Sequence, residues 1–211
     1  AATKKRYLST IQPMINYLQH AEETHAFISN HLATAVAALF KWCELTGDSS
    51  RNRAEEILGR IFSEQSEEGW YREYEGADPG YHTCTISFLA KLYRKSGNES
   101  LIPPLRKAVD FAWHFMHPDG SYGGEYGSRN TYHFYPHGFE VLAPRMEKAG
   151  QIADQFLRGL AGDKRYHNDD DRMCSHLVYD WLQAYEDYHP QRPEPINQRA
   201  NFSVWMPGAG M

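Results

Sequence analysis

Cysteine is scarce and unpatterned in this chain: Cys43, Cys84 and Cys174 lie far apart, and no Cys-x-x-Cys pair occurs. An odd count without metal-ligand spacing excludes a disulfide framework and a zinc ribbon. It predicts buried free thiols, which favours a reducing, cytoplasmic compartment. Long hydrophobic runs are missing too. The longest, Ala33 to Phe40, falls far short of the ~20 apolar residues that a membrane-crossing helix needs. Positive charge is massed nowhere; the net charge is −5 with Lys and Arg scattered, so no nucleic-acid partner is expected. The chain has no His-Glu-x-x-His, P-loop, Gly-x-Ser-x-Gly or dinucleotide fingerprint, and no metal or cofactor is expected. His133 and His137 have i, i+4 spacing, but Pro136 lies between them. Asp169-Asp170-Asp171-Arg172 suits a solvated loop and helix cap better than a diphosphate-metal motif. The chain opens Ala1-Ala2 without Met, a start that a removed leader would also leave.

What is present is a repeat. His31, His82 and His133 follow one another at intervals of 51 residues. Asn30-His31-Leu32 opens an apolar stretch that ends at Thr46-Gly47, and Tyr81-His82-Thr83 opens another that ends at Ser96-Gly97. The turns Glu68-Gly69-Trp70-Tyr71 and Asp119-Gly120-Ser121-Tyr122 match, and each precedes a Glu-Tyr pair, Glu73-Tyr74 or Glu125-Tyr126. An out-of-phase copy stands at Ser175-His176-Leu177. Such a period marks one supersecondary unit that buries its apolar face only by stacking on its neighbours. With 211 residues, 41 % hydrophobic and 23 % charged, the chain is long and apolar enough to fold rather than stay disordered.

Helical spacing is clear and strand signals are nearly absent. His82, Ile86, Leu89 and Tyr93 make one stripe of a helix that Asp78-Pro79 starts and Gly97 ends. Its partner runs from Pro103-Pro104 through Trp113. The other expected helices are Lys4–Gln19, Thr24–Leu45, Arg51–Gln65, His137–Lys148, Gln151–Leu160 and Arg172–Tyr188. The fold class is therefore all-α, about four antiparallel helix pairs with a period of about 51 residues. Residues 1–190 form one domain, and 191–211 form a C-terminal extension or a junction to a further domain. Helices that are apolar all round, Ala33–Leu45 and Thr83–Tyr93, are buried; their partners carry charge on one side. The alternation predicts helices bearing His31, His82 and His133 on the inside of a ring or an open superhelix.

The alternation, the period and the Gly-Trp and Gly-Ser-Tyr turns resemble the (α/α) toroids. Ile28-Ser29-Asn30-His31-Leu32 is similar to the Asn-His at the head of an inner helix in heparinase II/III-type and alginate-type polysaccharide lyases. Asn201-Phe202 and Trp205-Met206-Pro207-Gly208-Ala209-Gly210 look like the junction where such toroids pass into a β-sandwich domain. More distantly, Gln65 to Trp70 and Asp119 to Gly123 resemble the Gln/Gly/Trp repeat of terpenoid cyclase and prenyltransferase toroids, with the Gly-x-Trp spacing broken at Gly69-Trp70. The resemblance implies a toroid, complete or incomplete. It also implies a carbohydrate-active enzyme on an acidic poly- or oligosaccharide, lyase ahead of hydrolase. A cyclase-like enzyme and a non-catalytic helical-repeat binding module are the alternatives. An acidic saccharide is the expected partner, and a second copy of the chain or a further C-terminal domain are left open.

The candidate site lies on the loops 68–82 and 119–138, whose aromatic faces and interleaved polar groups suit sugar rings. His82, His133, Tyr135, Glu73 and Glu125 are the candidate catalytic groups. Asn30, His31, Trp70, Tyr81, Tyr122, Arg129, Asn130, Tyr132 and His137 are the candidate substrate contacts. β-Elimination next to a carboxylate needs a group that neutralises the carboxylate, a base, and an acid for the leaving oxygen. Arg129, Asn130, Tyr132, His133 and Tyr135 offer all three within seven residues. Hydrolysis would instead use Glu73 and Glu125 as a carboxylate pair. For His82, a place in the first turn of its helix disfavours imidazolium and keeps a neutral base.

Overall fold

The computed structural model describes residues 2–127, 133–164 and 171–210, with backbone alone for Ala2 and for 171–176. Among them are eight α-helices and no strand: α1 (Ala2–His20), α2 (Ser29–Thr46), α3 (Ser50–Ser63), α4 (Pro79–Ser96), α5 (Ile102–His114), α6 (His137–Leu142), α7 (Glu147–Ala161) and α8 (Asp171–Glu186). The all-α expectation holds. No helix among the described residues is long and apolar enough to cross a membrane.

The best-signalled helix forms as its ends dictate. The Asp78 carboxylate accepts the Tyr81 N–H at 3.0 Å, Pro79 occupies the first position, and Gly97 closes α4 in the left-handed region at φ 63°. Three expected boundaries fail. α2 starts at Ser29, not Thr24, the helix expected over His137–Lys148 stops at Leu142, and α7 starts at Glu147, not Gln151. Pro144 has no N–H to offer the Glu140 carbonyl, and Met146 is extended at φ −142° before α7 restarts the chain.

Helix α2 packs on α3 and α4, α4 on α5 and α6, and α6 on α7 and α8. So α2, α4, α6 and α8 form one row, and α3, α5 and α7 back its first three members. The core between the layers is carried by Leu39, Ile61, Leu89, Phe111 and Phe139, all essentially without exposure. Residues after α8 double back over α5 and α7. Arg199 donates to the Trp113 and Met116 carbonyls at 2.9 and 2.8 Å, and Ile196 is fully buried.

The matched glycine turns do matched work. Gly69 (φ 101°) and Gly120 (φ 89°) lie hard against α5 and α7 respectively. A Cβ would stand 2.2 Å from the Lys107 carbonyl oxygen at Gly69, and 2.5 Å from Gly159 Cα at Gly120. Only glycine allows both the left-handed backbone and that approach.

The histidine register, by contrast, slips. α2 and α4 are both 18 residues long, and they start at Ser29 and Pro79, 50 residues apart rather than 51. His31 is the third residue of its helix; in α4 the third residue is Tyr81, and His82 is the fourth. One residue is about 100° of rotation at 3.6 residues per turn. That rotation separates the fates of the two histidines.

Candidate functional site

His82 was expected on the rim and lies in the core. Its side chain is fully buried between Tyr71 and Phe111, with ring centroids at 5.4 and 5.1 Å. Nε2 stands 2.9 Å from the Ala108 carbonyl, and Nδ1 accepts the Tyr71 N–H at 3.3 Å. This pairing fixes one neutral tautomer. Burial pulls the imidazole down to about 4, against the opposing pull of the Ala108 carbonyl. Both nitrogens are committed to backbone.

Glu73 is likewise 1 % exposed rather than open to a cleft. Ile28 gives α2 no side-chain cap, so the first turn of α2 takes its acceptor from this distant loop. One Glu73 oxygen accepts the Asn30 N–H at 2.9 Å and the other accepts Asn30 Nδ2 at 2.7 Å. Ser29 donates to the Arg72 carbonyl through both N–H (3.1 Å) and Oγ (2.6 Å). The carboxylate is a helix cap supplied from 43 residues further along the same chain. Trp70 and Tyr122 also serve packing: Trp70 donates to Glu68 at 2.8 Å beside the core, and the buried Tyr122 hydroxyl donates to the Pro79 carbonyl at 3.0 Å. Glu125 sits half-buried on a 3₁₀ turn, Gly124–Tyr126, and its Oε2 has no hydrogen-bond partner among the described residues. Arg129, Asn130 and Tyr132 lie outside the described residues.

The residues that do converge are the remaining candidates. Asn30, His31, Tyr81 and Tyr135 line one cavity of about 680 Å3 between α2, α4 and α8. The His133 ring packs edge-on against Tyr81 at 5.1 Å, itself 4 % exposed. His31 is well exposed, and its Nδ1 is 2.9 Å from Glu23, whose carboxyl is held below its usual range chiefly by that hydrogen bond. Tyr135 is pinned by its N–H donating to Thr83 Oγ1 at 3.0 Å. Burial, then the neighbouring Cys84 thiol, pushes its phenol far above the ordinary range. His137 is almost fully buried, with Nε2 at 2.6 Å from Asp187, and lines an adjoining cavity. Burial first, then Lys91 nearby, brings it down to about 4.

The sequence reading missed the charged floor of this cavity. Asp180 of α8, 1 % exposed, accepts Ser87 Oγ at 2.5 Å and Lys91 Nζ at 2.7 Å through one oxygen, and the His137 N–H at 2.9 Å through the other. Lys91 also lies over the Phe88 and Tyr179 rings, at 4.8 and 5.6 Å. A signal was available: Lys91 and Asp180 are lone charges inside apolar helical runs, where an ion persists only when paired. Of the thiols, Cys84 is free and buried and Cys43 is free and half-buried; the Cys174 side chain lies outside the described set.

Among the described residues, no group of three or more His, Cys, Asp or Glu is placed to hold a metal. The chain matches no protein-family model, and neither a curated protein nor a solved structure is significantly similar to it.

Proposed function

We propose that this protein is a carbohydrate-active enzyme of the incomplete (α/α)-toroid kind, acting on an acidic saccharide by β-elimination in the cavity between α2, α4 and α8. One observation carries the reading: Asn30, His31, Tyr81 and Tyr135, from three separate stretches of chain, meet in one cavity with a paired lysine at its floor. The row of inner helices with its outer backing supports the toroid reading.

The roles follow from protonation. With Nδ1–H donating to Glu23, His31 carries its lone pair on Nε2, so the imidazole is the base that takes the proton next to the substrate carboxylate. The Tyr135 phenol, kept protonated by burial, is the acid for the leaving glycosidic oxygen. Asn30 has a second Nδ2 hydrogen beyond the one given to Glu73, and with Lys91 it offsets the charge that gathers on the carboxylate. Tyr81 and Tyr179 supply ring faces for the sugar. The hydrolase alternative loses its pair, because Glu73 is spent on α2.

The test incubates the protein with uronate polysaccharides and follows the ultraviolet absorbance of the unsaturated product. Wild type produces it; Tyr135→Phe and His31→Ala do so at least ~100-fold more slowly, the range general acid–base groups contribute. New reducing ends without new double bonds would overturn elimination. No turnover and no binding of any saccharide would overturn the whole reading.

A further inference from the structure

The cavity does not end at Lys91. A second one, of about 380 Å3, continues along α2, α4 and α8, and Thr34, Ala38, Phe88, Lys91 and Tyr179 line both. Its character differs. Lys41, Lys91, Arg94 and Lys95 border it, with Glu44 as the facing carboxylate. Lys41 is paired with Glu44 at 2.8 Å, Arg94 with Asp187, and Lys91 with Asp180, while Lys95 makes no ion pair among the described residues. A surplus of one cation therefore sits on a chain of net charge −5. Two polar atoms beside it, His137 Nδ1 and Gln183 Oε1, are closed to solvent and have no hydrogen-bond partner among the described residues. Orphaned buried polar groups call for an occupant that supplies hydrogen bonds.

Resting on the saccharide reading above, we infer that the groove takes a linear oligosaccharide with carboxylates on consecutive residues, one held at Lys91 and the next at the far end by Lys95 and Lys41. A rise of ~1.5 Å per residue sets Lys95 about 6 Å beyond Lys91 along α4, the scale of one sugar unit in a chain. The Lys41–Glu44 pair is solvent-exposed, and exposed pairs are worth only about 0–1 kcal/mol, so a substrate carboxylate can take Lys41 from Glu44.

The experiment measures calorimetric binding of uronate tetrasaccharides (galacturonate, glucuronate and mannuronate series), each beside its neutral methyl ester. Wild type binds at least one acid form about tenfold more tightly than its ester, and the preference shrinks as salt rises. The double variant Lys41→Glu, Lys95→Glu, at exposed positions that leave the core intact, removes that preference while the ester's affinity changes less than about twofold. Equal binding of acid and ester by wild type overturns the anionic subsite but leaves the saccharide reading standing. A variant that loses both ligands equally also overturns it. Failure of wild type to bind any acid or ester overturns both readings.

Discussion

His82 and Glu73 exemplify residues whose chemistry is consumed by the fold. Replacing His82 by Ala strips partners from the Ala108 carbonyl and the Tyr71 N–H and leaves a void beside Phe111. We expect a loss of about 2–4 kcal/mol, read from urea midpoints. Glu73→Ala strands the Asn30 N–H and amide, and should lower stability by roughly 2–3 kcal/mol, with Glu73→Gln milder because one acceptor remains. His82 and His137 also set a pH dependence. Both are held near 4, below the ordinary 6.5, so the unfolded chain binds protons that the folded chain refuses between those values. Stability is thus full above about 6.5 and falls as pH drops towards 4. Carboxylates such as Asp119, lowered to about 2 first by its Ser121 hydrogen bonds, lose their contribution only below their ordinary 3.8. Urea midpoints at about pH 7 and about pH 5 should differ in wild type and differ less in His82→Phe. Equal differences would remove His82 from the explanation.

At the scale of elements, close helix contacts decide which glycines matter. Gly138 lets α6 rest on α4 so closely that a Cβ would stand 2.7 Å from Ser87 Cα. Gly138→Ala must spread the two helices, and should cost about 1–3 kcal/mol and loosen the cavity wall that Tyr135 completes. Gly59, exposed in α3, has nothing within 4 Å of its would-be Cβ. Gly59→Ala should stabilise by roughly 0.5–1 kcal/mol by restricting the unfolded chain. Thermal melts of the two alanine variants should therefore move in opposite directions. The helix starts were readable where chemistry announces them, as at Asp78-Pro79. They were not readable at Ser29, because the acceptor for that helix, Glu73, lies 43 residues away.

For the molecule as a whole, Asp180 is a buried fastening between α8 and its neighbours α4 and α6, since it joins Ser87 and Lys91 of α4 to the first turn of α6. Asp180→Ala leaves a largely buried Lys91 ammonium without its partner. Removing one member of such a pair costs about 3–5 kcal/mol. Backbone amides of α8 should then exchange hydrogen much faster, while those of α3 and α5 stay protected. Uniform loss of protection would mean that Asp180 supports the entire fold and not one attachment.

Composition and periodicity by themselves determined the helical class, the glycine turns and the burial of α4, because each follows from local backbone preference and from which face must leave water; α2, expected to be buried all round as well, buries one face only and leaves Thr34, Lys41 and Leu45 exposed. They also marked Asn30, His31, Tyr81 and Tyr135 as chemically apt. Tertiary structure alone decided which of the repeated groups face the cavity. A one-residue slip in helix start turns a side chain through about 100°, and that rotation sends His82 inward to backbone partners while Tyr81 and His31 stay at the opening. The pairing of Lys91 with Asp180 across 89 residues of chain is likewise a product of packing, since no local rule brings an α8 carboxylate to an α4 ammonium.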